Sequence, residues 1–136
     1  MKRLIPIFLT TILSIALLGC GDSSAQPSET EKGGYRQISQ EEAQKLMESE
    51  SGYMILDVRT KQEFDEGHIP KAICVPNETI DTTPPSVLPD KNQMILVYCR
   101  SGRRSKEAAQ KLADMGYRHV IEFGGIKDWR GAITKE

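Results

Sequence analysis

The sequence predicts an α/β domain with a mainly parallel sheet flanked by helices. Three observations carry this reading. Short apolar runs alternate with amphipathic stretches of helical period, and the runs are apolar on both faces, as strands covered by helices on either side must be. Helix-start and helix-stop residues punctuate the alternation at the right places. The chain has 136 residues, 38% of them apolar, so one core and one domain is the natural organisation.

The first element is a helix entered through Ile38-Ser39-Gln40-Glu41-Glu42. Ser39 is its N-cap and Glu42, at the third helical position, completes a capping box. Leu46 and Met47 face inward. Tyr53 to Val58 follows as a short buried strand bounded by Gly52 and ending in Asp57-Val58-Arg59. Thr60 and Glu63 repeat the capping-box pattern and start a short helix, which Gly67-His68-Ile69-Pro70 ends. Ala72 to Val75 is a second short strand before Pro76. Residues 77 to 92 carry Pro84, Pro85 and Pro89 and read as a helical turn and a loop. Met94 to Tyr98 is the strongest strand signal and runs into Cys99. Gly102 precedes a helix from Arg103 to Met115 that turns Ala108, Ala109 and Leu112 inward and stops at Gly116. His119 to Phe123 is the last strand, followed by Gly124-Gly125 and a short helix carrying Trp129. In parallel sheets ligands gather at the carboxyl ends of the strands, so Asp57, Arg59 and Cys99 belong on one rim.

The N-terminus does not belong to this domain. Lys2 and Arg3 precede an apolar run from Leu4 to Leu18, and this run is short for a membrane span, which needs roughly 20 residues. It ends in Leu17-Leu18-Gly19-Cys20, which resembles the lipobox of bacterial lipoproteins. Residues 1–19 are therefore expected to be a cleaved signal peptide and Cys20 the lipidated N-terminus. Residues 20–35 form a flexible tether and 36–134 the folded domain. The protein is expected to be exported and held by its lipid anchor on the bacterial cell envelope, at the outer face of the cell membrane or in a periplasm. The formal charge of the whole chain is −1. Loss of Lys2 and Arg3 with the signal peptide makes it more acidic, and no basic face or stripe suggests a nucleic-acid partner.

Of three cysteines, Cys20 is assigned to lipid, leaving Cys74 and Cys99. Two cysteines do not make a disulfide framework. Either they pair or at least one is a working thiol.

Cys99 opens the segment Cys99-Arg100-Ser101-Gly102-Arg103-Arg104-Ser105, which joins a buried strand to a helix. Unsatisfied N–H groups at the helix start, the positive end of the helix dipole and three guanidinium groups converge there. Each favours a thiolate, the nucleophilic form of cysteine. Gly102 gives the backbone freedom to turn inward. No acidic side chain occurs between Lys91 and Lys106 to oppose this.

This segment resembles the active-site loop of the rhodanese superfamily. Asp57-Val58-Arg59, Glu63-Phe64, Gly67-His68-Ile69-Pro70 and Gly124-Gly125 with Trp129 follow the family's order and spacing. The resemblance covers roughly residues 36 to 131 and implies a three-layer fold with a five-stranded sheet. It further implies a sulfurtransferase. Cys99 would take sulfane sulfur from a small anion such as thiosulfate, hold it as a persulfide and pass it to cyanide or a thiol. Arg100, Arg103 and Arg104 would neutralise the donor, and the backbone of Ser101, Gly102 and Ser105 would complete the cradle. No metal or organic cofactor is called for. Two positions depart from the family pattern: Lys71 stands where glycine is usual, and Cys74 where asparagine is.

Other residues have plainer readings. Asp57 and Arg59 are expected to support the loop, with Arg59 pairing to Glu63 four residues on. His68 is structural, His119 begins a strand at the surface, and Trp129 packs in the core. Cys74 is either a buried strand residue or a resolving thiol for Cys99. Three rival functions remain: a non-catalytic or sulfide-sensing rhodanese-like module, a thiol redox protein, and a phosphatase or arsenate reductase. The last would place five residues between cysteine and arginine, whereas four separate Cys99 from Arg104.

Overall fold

The computed structural model describes residues 34–136. The signal segment, Cys20 and nearly all of the tether lie outside the described residues. Five strands form one sheet in the order β1-β5-β4-β2-β3, every neighbouring pair parallel. They are β1 (Arg36–Gln37), β2 (Met54–Asp57), β3 (Ile73–Cys74), β4 (Met94–Cys99) and β5 (His119–Gly125). Three helices connect them: α1 (Gln40–Ser49), α2 (Lys61–Glu66) and α3 (Arg103–Asp114). Two short 3₁₀ turns, Asn77–Thr79 and Ile126–Asp128, complete the elements among the described residues. The parallel sheet flanked by helices, expected from the alternation of elements, is present, with the five strands that the family resemblance implies. β1 is a strand that the sequence reading did not locate, because two residues are too few to show a period.

Both capping boxes form. The Ser39 and Thr60 side chains each accept from the N–H three residues on, and Glu42 and Glu63 reach back to the cap N–H groups. Each reciprocal pair satisfies two otherwise orphaned helix-start donors, which fixes where α1 and α2 leave the sheet.

The sheet divides the core in two. On one face Val58, Val97, Cys99 and Val120 pack with Ala108, Ala109 and Leu112 of α3 and with Ile80, Leu88 and Tyr117. On the other, Ile55, Tyr98, Ile121 and Phe123 pack with Ala43 of α1, Ile69 and Trp129. Successive residues of a strand point to opposite faces, so adjacent Tyr98 and Cys99 belong to different cores. Trp129 packs on Phe123, ring centroids 5.6 Å apart, as expected. His68 stacks on Phe64 at 3.6 Å, its Nδ1 lies 2.9 Å from the Phe64 carbonyl, and its backbone bridges to Thr134. It is a structural residue that ties the chain end to the turn after α2. Lys71 has φ +71, the one non-glycine with positive φ among the described residues. A side chain held in this conformation costs about 1 kcal/mol of strain.

At the carboxyl end of β2, Asp57 is fully buried and collects the chain around it. Arg59 donates to it through its backbone N–H, Nε and Nη2, the shortest contact being 2.6 Å, and also donates from Nη2 to the Gly67 carbonyl at 2.7 Å. The Tyr98 hydroxyl donates to Asp57 Oδ2 at 2.6 Å and accepts from the Ile69 N–H at 3.1 Å. Arg59 therefore does not pair with Glu63, contrary to the sequence expectation. The buried carboxylate two residues away captures it first. Burial and the Asp57 carboxylate push the Tyr98 phenol well above its usual range.

Tyr98→Phe removes this bridging hydroxyl and leaves a buried N–H and a buried carboxylate each short of one partner. The expected cost is about 1–3 kcal/mol, read as a lower urea midpoint. An unchanged midpoint would show that the bridge does not hold β2, β4 and the Ile69 turn together.

Candidate active site

Cys99 is the last residue of β4 and is 1% exposed. The chain turns at once into α3 through Gly102, which has φ +106. That left-handed conformation suits glycine, and it aims the Gly102 N–H back at Cys99 Sγ, 3.0 Å away. α3 has no side-chain cap, so the N–H groups of its first turn stay available to an anion.

The loop is pressed against β5. The Lys127 N–H donates to the Arg100 carbonyl at 3.2 Å. A Cβ on Gly125 would lie 2.0 Å from that same oxygen, so only glycine fits there. β4 and β5 slip register between Val97 and Cys99: Val97 pairs with Glu122 but Cys99 with Gly125. The extra residue on β5 is taken up next to Gly124, which has φ +94. This is a β-bulge of the kind that re-aims side chains beside sites.

Ser105 is buried one turn into α3. Its Oγ lies 3.4 Å from Cys99 Sγ, 3.0 Å from the Gly102 carbonyl and 2.6 Å from Glu122 Oε1. Glu122 is 3% exposed. It also accepts from the Gly124 N–H at 2.8 Å and from Gln37 Nε2 at 3.3 Å.

A family model for the rhodanese-like domain matches residues 39–132. The chain belongs to that family. Thiosulfate sulfurtransferase PspE of Escherichia coli (strain K12) is 38% identical over 73 residues, 54% of this chain and 70% of that relative. Thiosulfate sulfurtransferase GlpE of Coxiella burnetii is 33% identical over 97 residues, 71% of this chain and 88% of that relative. Among solved structures, one described as rhodanese with anions from E. coli matches with a TM-score of 0.57 and 34% identity, covering 62% of this chain and 99% of that one.

The three arginines of the rhodanese-type loop have different surroundings. Arg104 forms a two-pronged pair with Glu63, Nη1 to Oε2 at 2.8 Å and Nη2 to Oε1 at 2.9 Å. Its fork is occupied in holding α2 against α3. Arg103 is exposed and reaches Glu107 at 3.2 Å, a contact open to water. Arg100 is exposed and makes no ion pair among the described residues. Ser101 is exposed on the loop, and Gly102 and Ser105 are buried against the thiol.

Counting charges within the loop missed two carboxylates. Glu63 comes from α2 and Glu122 from β5, so the loop is not free of acidic neighbours. Glu122 had one signal in the sequence: a charged residue inside the apolar run Val120 to Phe123, where burial requires partners.

Asp57 and Arg59 do not reach the thiol. Asp57 faces the Tyr98 side of the sheet, and Arg59 is spent on Asp57 and Gly67. They brace the strand that carries Cys99. Cys74 is half-buried on β3, and burial, then the Asp57 charge, pushes its thiol above the usual range. Asp57 is the register partner of both Cys74 and Tyr98. Cys74 and β4 are thus two strand spacings apart, about 9.6 Å, beyond the roughly 7 Å that a disulfide spans. Both thiols are free.

The Arg104 hydrogen bonds hold the Glu63 carboxyl down at about 2, against an ordinary value of 4.5, helped by Thr60 and opposed by burial. A carboxylate lowered on folding stabilises the fold above its unfolded pKa, and that stability is lost as pH falls through the folded value. Between pH 4.5 and about 2, the wild type should lose stability more steeply than Glu63→Gln, in which this group no longer titrates. Denaturant melts at the two ends of that window measure the difference. Parallel slopes would deny the Glu63–Arg104 pair this role.

Proposed function

We propose that this protein is a sulfurtransferase in which Cys99 carries sulfane sulfur as a persulfide. One observation carries the reading: a buried thiol at a strand end, with the Gly102 N–H 3.0 Å from its sulfur and an uncapped helix start behind it. Two relatives named as thiosulfate sulfurtransferases support it.

With thiosulfate as donor, the Cys99 thiolate attacks the outer sulfur. A Cys99–S bond forms, the donor's S–S bond breaks, and sulfite leaves with the electron pair. The acceptor, cyanide or a thiolate, then attacks the bound sulfur, and the bonding pair returns to Cys99. The first product leaves before the acceptor arrives, so the kinetics are ping-pong. No electron enters or leaves from outside. The helix-start N–H groups hold the charge on sulfur in both halves of the cycle. Arg100, whose guanidinium is not committed to a carboxylate, draws the anionic donor to the loop.

In a thiosulfate-to-cyanide assay, Cys99→Ser should lose essentially all turnover while Cys74→Ser keeps most of it. Thiosulfate alone should add one sulfur, about 32 Da, to the Cys99 peptide. Turnover surviving in Cys99→Ser, or no mass gain with any sulfane donor, would overturn the assignment.

The proposal includes a location. Lys2-Arg3, the apolar run to Leu18 and Leu17-Leu18-Gly19-Cys20 support export and lipidation at Cys20, with two acyl chains giving stable attachment. Radiolabelled palmitate should enter the full chain when it is expressed in a bacterium, and Cys20→Ala should abolish the label. Equal labelling of both chains would remove the anchor from the reading.

A further inference from the structure

One buried ionisable group has no part in the transfer as written. Glu122 sits in a strand between apolar neighbours, and no ion pair to it occurs among the described residues. It meets three neutral donors instead: the Ser105 hydroxyl, the Gly124 N–H and Gln37 Nε2. A buried carboxylate must have its lone pairs filled by hydrogen-bond donors, and here the closest of them is a side-chain hydroxyl. The Cys99 thiol is joined to it through one hydroxyl, that of Ser105.

The contacts have the form of a relay. Ser105 carries a single hydroxyl proton, and its shortest contact, 2.6 Å, is to Glu122 Oε1. Donating there leaves its oxygen lone pairs for the Cys99 S–H at 3.4 Å. We propose that Glu122 is the positioning residue that takes the Cys99 proton, acting through the Ser105 hydroxyl.

The Sγ–H bond breaks and its proton passes to Ser105 Oγ as the proton of Ser105 passes to Glu122 Oε1. Sulfur keeps the electron pair. The thiolate then accepts from the Ser105 O–H and the Gly102 N–H. The neutral carboxylic acid donates back to Ser105 Oγ, while its remaining lone pairs still accept from Gly124 and Gln37. One negative charge moves between two seats, the Glu122 carboxylate and the Cys99 sulfur beside the start of α3.

Other titratable groups face this pair. The Tyr35 phenol, beside β1, is raised by burial and then by the Glu122 charge. Arg104 feels Cys99 from α3. Lys106 and Asp128 line the cleft through which Glu122 meets solvent, together with Gln37, Gln40 and Gly124.

The inference rests on Cys99 being the working nucleophile, but its test needs no sulfur donor. In reduced full-length protein, iodoacetamide alkylation of the Cys99 peptide is timed by mass spectrometry from about pH 5 to about pH 10. At about pH 6.5, Glu122→Gln and Ser105→Ala should each slow alkylation about tenfold or more. The deficit should close towards about pH 10, where hydroxide takes the proton. The double variant should be no slower than either single one, and Glu122→Asp should recover part of the rate. A wild-type pH profile in either single variant, or a double variant slowed by the product of the two, overturns the relay. If circular dichroism shows Glu122→Gln unfolded, Ser105→Ala decides alone: a shifted profile supports the relay and an unshifted one overturns it. Thiosulfate labelling of the wild type is run alongside. Failure to label with a relay-type alkylation profile would sink the sulfurtransferase reading and leave the relay standing.

Discussion

The backbone after Cys99 has to curl so closely around one sulfur atom that the neighbouring strand must give up a side chain. Gly125 is the residue that does so, since a Cβ there would overlap the Arg100 carbonyl at 2.0 Å. That contact lets the Lys127 N–H hold the loop in place and brings the bulge at Gly124 beside the thiol. The bulge in turn turns the end of β5 so that Glu122 Oε1 accepts from both Ser105 and Gly124. The loop, the bulge and the buried carboxylate therefore form one arrangement. A side chain at position 125 would disturb all three.

The alternation of a β-strand assigns the polar groups of the rim to two networks. Tyr98, on one face, joins Asp57, Arg59 and the turn at Gly67 to Ile69. Cys99, on the other, joins Gly102, Ser105 and Glu122. The first network contains a buried ion pair whose partners are held by several further hydrogen bonds, which gives rigidity to the strand end. The second contains a carboxylate and a thiol linked by a hydroxyl, a combination able to redistribute a proton. Because adjacent residues carry them, the mobile charge sits on a support that is itself fixed.

What could be read from the sequence was whatever its residues settle locally. Both capping boxes span four residues and form as expected. The strand ending at Cys99 and the glycine that starts α3 are legible for the same reason. The pairing of Arg59 failed because a four-residue helical spacing was set against a carboxylate two residues away on the strand, and the buried partner won. Ser105 to Glu122 crosses 17 positions and Arg104 to Glu63 crosses 41. No local window contains these pairs, so the acidic neighbours of an apparently all-basic loop could not be counted from its own residues. The two-residue β1 was invisible in pattern and exists through its pairing with β5.

The electrostatic character of the loop changes accordingly. Three arginines in the sequence suggest a strongly cationic trap, yet Arg104 is neutralised by Glu63 and Arg103 faces Glu107 in water, where such pairs are worth little. Only Arg100 remains without a carboxylate partner. Attraction for an anion at the sulfur then comes chiefly from oriented backbone N–H groups, the Gly102 donor and the uncapped start of α3, rather than from side-chain charge. Backbone dipoles cannot swing away or be screened as an exposed guanidinium can. A site built on them holds charge at the buried sulfur in a fixed geometry, and the arginines are left to brace the loop and to guide what approaches it.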